Sequence, residues 1–442
     1  MATNGPTPNE ALNRLHRDTG WTLNALARAV NLIGTERGTP RTYSASTVHA
    51  WLKGHVPKED ARSLIVEALA RKLGRRITYA ESGFPAPVQG QSKCSIVEEL
   101  IDLGSQDMER RNFLGASLFS VVLTIPDWPD VVDRMKTVQA SAKCGIGTSD
   151  VDLVKKMTDS LSVTYDDCGG RHTRPLAAAF IVNTVSPLLQ ADGPAEVRKA
   201  MMSAAAFLCY LTGWMAVDEG LQGLAQRYYV KGLQLAGASG DRMTYCHILR
   251  GVSVQAVDLG HGPLAVRLAN AAADTSPKTG SRMRAFMAGQ QAHSFAVAGD
   301  KGNALSCILD AERAMDKAES VSSAFGGYDP ATLAYHAAQV RYGLGDVAGS
   351  VESLKQHFKL RRPEETRRSA LRFQSMIAER QLEIGQLEAA CETWKGILEE
   401  YPSVHSGKVD RHVASIGRRL RPHRSNSAAR NIFDLALEVR RD

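Results

Sequence analysis

Apolar side chains near the start of the chain recur with the spacing of helices that bury one face. Residues 23–30 place them at positions i, i+3, i+4 and i+7, after Thr22 as the expected N-cap. A second helix is predicted to begin near Ser44 and to stop at Gly54, and a third is predicted over residues 61–73. The residues expected to face inward in the second and third helices are Val48, Trp51, Leu52, Leu64, Ile65, Ala68, Leu69 and Leu73.

A second apolar pattern repeats through the latter half of the chain, with a spacing of about 40 residues. Each copy has a glycine that ends one helix in the left-handed conformation and, five positions later, a small residue that lets the next helix pack close. Such hairpins bury their apolar faces only by stacking, which predicts a superhelix with an inner groove. The pairs are Gly260 and Ala265, Gly299 and Ala304, Gly345 and Ser350, and Gly385 and Ala390, with a blurred earlier copy at Gly220 and Ala225.

The chain has no segment with the alternating period of a β-strand, so the predicted fold class is all-α. We expect an N-terminal helix-turn-helix domain over residues 1–83, a Pro- and Gly-containing linker over 84–95 and a helical connector over 96–172. An α-solenoid of degenerate tetratricopeptide-like helical hairpins is expected over 173–442, although its spacing exceeds the ~34 residues of that repeat. An apolar stripe from Ser427 onward predicts a helix that caps the last hairpin.

Composition changes this interpretation little. The chain has 442 residues, 43% hydrophobic and 23% charged, as expected for a globular protein of two or three domains. Its net charge of +7 suits an acidic partner such as DNA without requiring one. The 7 cysteines are odd in number and form no Cys-x-x-Cys pair, so we expect reduced thiols in a cytoplasm and neither a disulfide framework nor a zinc site. We predict no metal and no cofactor.

One internal stretch imitates an export signal. Arg110 and Arg111 precede an apolar run that ends at Ile125, whereas residues 1–10 are polar. The pair lies far from the N-terminus, and the run is shorter than the ~20 residues that a membrane helix needs. We therefore predict a buried helix here and no membrane partner.

The second predicted helix carries the candidate chemistry. A helix-turn-helix needs two short helices docked at a steep angle, and the second must present a lean polar face to the major groove, which is ~12 Å wide. Thr47 and His49 lie on the flanks of that face, and His49 is equally consistent with a plain surface position. The face opposite the buried side is predicted to carry Tyr43, Ser46, Ala50 and Lys53.

Hydroxyls and cations at these positions are suited to base edges and phosphates. We predict that Ser46, Thr47 and Lys53 contact base edges. The residues expected on phosphates are Arg41, His55 and Lys58. The whole predicted DNA-binding set is Arg41, Thr42, Tyr43, Ser44, Ser46, Thr47, His49, Lys53, His55 and Lys58.

Three motifs carry a wider resemblance. They are Gly20-Trp21-Thr22 with Leu26-Ala27-Arg28-Ala29-Val30-Asn31, then Tyr43-Ser44 with Ser46-Thr47-Val48 and Trp51-Leu52-Lys53-Gly54, then Glu67-Ala68-Leu69 with Leu73-Gly74-Arg75. Together they resemble the N-terminal domains of actinomycete regulators that join a Cro/repressor-like helix-turn-helix to tetratricopeptide-like repeats, some of which act in developmental or antibiotic control. The long connection from Asn31 to Tyr43 departs from the tight turn of a phage-type repressor.

Three other segments hold reactive or charged side chains. Residues 165–172 bring carboxylates, a thiol and an imidazole together, but we interpret them as a Gly-Gly turn between helices rather than as a catalytic site. No phosphate-binding glycine loop or nucleophile elbow occurs, so we predict that the protein is not an enzyme. Residues 359–372 and the arginine-rich tail over 411–430 are interpreted as solvated faces, with a charged groove or an auxiliary DNA contact as the alternative.

These patterns predict a cytoplasmic, DNA-binding transcriptional regulator. A homodimer would place two recognition helices ~34 Å apart on a pseudo-palindrome in double-stranded DNA. The repeat domain would supply dimer contacts, a groove for a peptide or protein that changes DNA affinity, or both. Repression is favoured because a protein that covers a promoter blocks it. The alternative is a tetratricopeptide-type interaction scaffold whose N-terminal domain docks proteins and does not contact DNA.

Overall fold

A computed structural model shows a helical protein. Within the residues that it describes there is no β-strand, and an isolated bridge joins Gly145 to Asp192. The predicted all-α class is therefore confirmed for that part of the chain. The apolar run after Arg111, and Cys94 and Cys144, lie outside it. The described residues are 8–36, 41–73, 77, 79–85, 95–108, 145–276, 280–318, 328–361 and 367–439.

Four short helices form the N-terminal domain. The Thr22 hydroxyl accepts a hydrogen bond from the backbone N–H of Ala25 at 3.2 Å, which confirms the predicted cap. Val48, Trp51 and Leu52 are buried, so the predicted inner face of the second short helix is confirmed. The helices are α1 (Glu10–Thr19), α2 (Leu23–Glu36), α3 (Ala45–Leu52) and α4 (Glu59–Leu73).

The first of these helices is an addition to the prediction. The Asn9 side chain caps α1 by accepting a hydrogen bond from the backbone N–H of Leu12 at 3.0 Å. Leu12 and Leu15 are buried in the same core as α2 to α4. They provide only two apolar positions in a polar stretch, so the periodicity of the sequence alone was a weak signal for this helix.

The predicted connector belongs to the body of the array. Its helices are α5 (Ile96–Met108), α6 (Thr148–Cys168) and α7 (Gly170–Phe180), followed by a π-helical turn at Ile181–Val185 and by α8 (Ser186–Gln190). Apolar residues of α5, α6 and α7 share one buried core with the first hairpins of the array. The boundary predicted between residues 172 and 173 therefore falls inside a helix.

The rest of the described chain is a solenoid-like array of helical hairpins. In each hairpin the two helices pack along each other, and the first helices of successive hairpins also touch. The hairpins are α9 (Ala195–Glu219) with α10 (Gln222–Ser239), α11 (Arg242–Asp258) with α12 (Gly262–Thr275), α13 (Ser281–Val297) with α14 (Lys301–Asp316), α15 (Pro330–Gly343) with α16 (Val347–Leu360), α17 (Arg367–Glu383) with α18 (Leu387–Glu400), and α19 (Gly407–Leu420) with α20 (Ser427–Glu438).

The repeated glycine pattern has the geometry predicted for it. Gly260, Gly299, Gly345 and Gly385 all have positive φ, between 76° and 88°. Their small partners are completely buried at the crossing of the two helices, at 0% exposure. Those partners are Ala265, Ala304, Ser350 and Ala390. The predicted capping helix is α20, whose Ile432 and Ala436 are buried.

By length and composition, α9 is the helix of the described chain that could cross a membrane. However, 72% of its apolar window is buried inside the fold. Its apolar character is thus accounted for by its position at the centre of the largest core. All cysteines in the described residues are free thiols, and Cys168 at the end of α6 is exposed.

The array closes on itself. α17 touches α6, and α19 touches α9. Aspartates near the ends of α6, α9 and α11 pair with cations near the starts of α17 and α19. Arg368 contacts Asp166 at 3.1 Å and Asp218 at 3.6 Å. Asp258 contacts Arg372 at 3.5 Å and Lys408 at 2.7 Å. These six residues are called the closing seam below. The interpretation of residues 359–372 as a solvated face is wrong for Arg368 and Arg372, because both are engaged in this seam.

The tail differs from that stretch. Within it Arg419 pairs with Glu379 at 3.1 Å. The solvated-face interpretation is confirmed for its other five arginines, which are exposed. These are Arg411, Arg418, Arg421, Arg424 and Arg430.

Gly169 lets two backbones meet at the closure, and replacing it should open the array locally. It has φ 77° and ψ 171°. A Cβ at this position would lie 1.6 Å from the His405 carbonyl oxygen. We expect Gly169→Ala to lower the free energy of unfolding by about 2–3 kcal/mol. Gly385→Ala is the matched control, since Gly385 has φ 80° but nothing within 4 Å. Equal losses in urea unfolding would show that the close approach contributes nothing.

Candidate nucleic-acid interface

A side-chain amide fixes the entry to α3. Asn31, on α2, donates from Nδ2 to the Tyr43 carbonyl at 2.8 Å and accepts from the Tyr43 N–H at 2.8 Å. The Tyr43 ring packs edge-on against Trp51, with centroids 5.0 Å apart. Burial raises the pKa of the Tyr43 hydroxyl. The prediction that Tyr43 stands on the open face is therefore corrected: its ring belongs to the edge of the core.

Hydroxyl groups organise the first turn of α3. The Ser44 hydroxyl lies 2.7 Å from that of Ser46 and 3.2 Å from that of Thr47. The Thr47 hydroxyl also accepts a hydrogen bond from the Ser44 N–H at 3.4 Å. Ser44 is the N-cap of α3 and half-buried Thr47 serves the same helix start, whereas Ser46 is exposed outside this capping pair. The predicted set thus contains two capping residues as well as side chains placed to meet a ligand.

The front of α3 is a polar stripe. Ser46, His49 and Lys53 are exposed at positions i, i+3 and i+7, with half-buried Ala50 between them. Opposite them, the back of the helix is buried. Since neighbours at this spacing lie on one side of a helix, the three side chains share one surface. The small Ala50 leaves that surface lean enough for close approach to a partner.

The flanking cations are less uniform than predicted. His55 and Lys58, which follow α3, are exposed, as is Thr42 before it. Arg41 is half-buried and forms an ion pair with Asp60 at the start of α4. A phosphate at Arg41 would therefore have to displace this carboxylate, while Lys58 needs no such exchange.

Two residues that position this surface were missed by sequence reasoning. Asn31 joins α2 to the start of α3, and Arg62 donates from Nε to the Pro57 carbonyl at 2.8 Å, which holds the connection between α3 and α4. Both bind backbone atoms, and side chain-to-backbone pairing leaves no periodic signal in a sequence. The placement of Asn31 in the motif of the resemblance was the one available hint.

One end of α4 lies near the array. Residues 64–70 of α4 are all buried. His261, at the turn before α12, has its pKa lowered by burial, and the nearby charges of Arg71 and Glu67 on α4 also act on it. The front of α3 is exposed to solvent.

Residues 165–172, which carry carboxylates, a thiol and an imidazole, make structural contacts. Asp166 bonds Arg368, and the His172 ring packs edge-on against His405 with centroids 5.2 Å apart. Gly169 forms the turn between α6 and α7, as interpreted from the sequence. No group of three or more His, Cys, Asp or Glu within the described part of the chain is arranged to hold a metal ion.

Fold and surface define a class of helical protein: a small N-terminal domain with an exposed polar helix face, joined to an array of hairpins. Residues 12–85 match the family model described as the SP15 N-terminal domain. The match includes α2, α3 and α4 and most of α1. No curated protein matches the chain.

Proposed function

We propose that the protein is a DNA-binding transcriptional regulator, similar to actinomycete regulators that join a Cro/repressor-like helix-turn-helix to tetratricopeptide-like repeats. The observation that carries this proposal is the two-sided α3. Its back is buried in the domain core, and its front exposes Ser46, His49 and Lys53. In a helix-turn-helix α2 would cross the DNA backbone while α3 enters the major groove.

Charge supports the same partner. Residues 1–85 contain 12 Lys and Arg against 7 Asp and Glu, so most of the net charge of +7 lies in the N-terminal domain. Positive charge in this segment would draw the domain to phosphates and make binding sensitive to salt. Ser46 and Lys53 would contact base edges, and Lys58 and His55 would lie against the backbone. Binding as a homodimer would place two copies of α3 ~34 Å apart.

The array would supply regulation. A ligand that binds one arrangement of the packed hairpins more tightly than another shifts the population of the protein towards that arrangement. A peptide, protein or small ligand bound to the array would act on the DNA-binding domain where the charges of α4 lie near the turn at His261. We place the protein in the cytoplasm, where it would have access to DNA and its thiols would stay reduced. We favour repression as its effect on transcription.

The double variant Ser46→Ala with Lys53→Ala should weaken specific DNA binding at least tenfold, about 1.4 kcal/mol, because it removes one base-edge group and one cation from the front. Circular dichroism should be unchanged, since both side chains are exposed. Arg14→Ala, on the exposed side of α1, is the charge-matched control and should leave affinity unchanged. Unaltered affinity in the folded double variant would reject this face.

A gel-shift titration against genomic fragments at two salt concentrations separates the regulator from its rival. Steep salt dependence and a specific shift would support the regulator, because each phosphate contact releases counterions. No shift at either salt concentration, with a protein captured on the N-terminal domain, would favour the interaction scaffold. The observation that favours the scaffold is the exposure of the apolar side chains Leu32 and Val56 on this domain, which could contact a protein.

A further inference from the structure

A row of aromatic and imidazole rings runs across the first helices of successive hairpins. Tyr210 on α9 neighbours His247 on α11 with centroids 6.0 Å apart, and His247 neighbours Phe286 on α13 at 5.0 Å. Phe286 lies 5.2 Å from Tyr328, just before α15. Half-buried Phe207 and Trp214 on α9 extend the row at one end. The row is thus a continuous ring cluster that is largely buried, and its half-buried members Phe207, Trp214 and His247 reach solvent.

Arg250, on α11, lies within this row without a counter-ion. It is 8% exposed. Its guanidinium stacks 4.2 Å above the Phe286 ring, and Nη2 donates to the Tyr210 hydroxyl at 3.0 Å. Nε is buried and has no hydrogen-bond acceptor. No carboxylate of the described residues forms an ion pair with it.

Other buried arginines of the array have acceptors for more than one nitrogen. Arg174 pairs with Asp107 and Glu219. Arg368 pairs with two aspartates of the closing seam. Arg380 donates to Ser350 and Gln339. Arg250 differs from these three arginines, because the one hydrogen-bond acceptor that the described residues give it is a neutral phenol.

A second polar group at the same place lacks a partner. The Tyr229 hydroxyl is buried without a hydrogen-bond partner in the described structure, and its ring packs beside Tyr210 with centroids 6.0 Å apart. Burying a charge without a partner costs several kcal/mol of folding free energy. Burying a hydroxyl without a partner costs less. Both groups neighbour Tyr210, and together they fit a site that an anion completes.

We propose that Arg250 anchors a binding site for a carboxylate attached to an aromatic or apolar body. The guanidinium would donate its unused N–H groups to the two carboxylate oxygens, a pairing that its planar fork favours. The Tyr229 hydroxyl would donate a further hydrogen bond. Phe207, Trp214 and His247, each partly exposed, would cover the apolar body. One guanidinium matches the single charge of a carboxylate better than the near-double charge of a phosphomonoester.

This site would give the array the ligand that the proposed function needs. It rests on that proposal only for the effect on DNA, since ligand binding itself requires no DNA. Two sources can present the same chemistry, a free organic acid and the C-terminus of a peptide. The choice between them is left to the probes of the test.

Calorimetric titration of the full chain with N-acetylphenylalanine tests the site. We expect saturable binding, and at least tenfold weaker binding of N-acetylphenylalaninamide, which has the same ring but no carboxylate. Acetyl-Gly-Gly-Phe with a free C-terminus distinguishes the sources. Tighter binding than the single residue would assign the site to peptide termini, and equal binding to free acids; each supports a carboxylate site. Equal affinity for acid and amide, or no binding of either acid at about 10 mM, would overturn it.

Arg250→Met should reduce acid binding at least tenfold and leave amide binding unchanged. Arg267→Met, in an exposed residue of α12, is the matched control and should bind as the parent does. Thermal unfolding separates a ligand anchor from a structural residue. Removal of an uncompensated buried charge should keep or raise Tm, whereas a marked fall in Tm would show that the guanidinium serves the core and would overturn the proposal. If the parent protein binds the acid but does not bind DNA, that result counts against the helix-turn-helix proposal alone.

Discussion

Asp258→Ala is expected to lower the free energy of unfolding by about 3–5 kcal/mol, because it leaves two largely buried cations without their carboxylate. Asp258 is the last residue of α11, and its oxygens accept from Lys408 at 2.7 Å and from Arg372 at 3.5 Å. Although burial opposes it, these two cations hold the pKa of Asp258 well below its usual range. Burial also lowers the pKa of Lys408 to about 8, and Asp258 opposes that shift. Urea unfolding at neutral pH measures the effect.

Two variants sharpen this test. Asp310→Ala removes the carboxylate of an exposed pair, Asp310 with Arg313 at 3.6 Å, and should change stability by less than about 1 kcal/mol. Adding Lys408→Met to Asp258→Ala should recover part of the loss, because one of the two orphaned charges is gone. If Asp258→Ala and Asp310→Ala unfold at the same urea concentration, the closing seam does not hold the array together.

The positions of the seam residues on their helices support the same conclusion. Asp218 and Asp258 stand at the C-terminal ends of α9 and α11, and Arg368 and Lys408 at the N-terminal starts of α17 and α19. Each charge occupies the helix end that the helix dipole disfavours, by about 0.3–1 kcal/mol. Local helix stability therefore cannot account for them. Contacts across the seam, which join residues between 114 and 202 positions apart in the chain, do account for them.

That separation explains what sequence reasoning could and could not reach. The buried back of α3 and the left-handed glycines at 260, 299, 345 and 385 were predictable, because each depends on residues within one turn or one hairpin. Arg368 and Arg372 were interpreted as solvated, since their partners lie more than a hundred positions earlier in the chain. A charge pattern along one helix carries no information about which distant helix end will face it.

The candidate site shows the same division. Exposure of Ser46 and Lys53 followed from helical phase alone. The inward turn of Tyr43 did not, because it depends on an amide twelve residues earlier and on the ring of Trp51. Arg250 gave no signal at all in the sequence. An arginine is notable as a ligand anchor only once its neighbours are known and none of them is an acid.

Stability is expected to fall steeply as the pH drops from about 6.5 towards 4, because the array buries neutral histidines. Burial lowers the pKa of His293 on α13 to about 4, with Arg372 acting in the same direction and Asp258 against it. Burial, His293 and Arg250 together lower the pKa of His336 on α15 further below its usual range. Both side chains stay neutral in the native state and take up a proton on unfolding.

The sign follows from proton uptake. A group whose pKa is lower in the folded state stabilises the fold most above its unfolded pKa, ~6.5 for histidine, and loses that contribution as the pH falls. Each histidine should cost about 1.4 kcal/mol per pH unit, so the two should cost about 2–3 kcal/mol between about pH 6 and pH 5. Urea unfolding across this range should show that slope. His293→Gln should lower the slope by the share of one histidine, about 1.4 kcal/mol per pH unit. His49→Gln, in an exposed side chain, should leave it unchanged. A slope unaffected by His293→Gln would contradict the burial of a neutral imidazole at this position and would move the acid sensitivity elsewhere in the molecule.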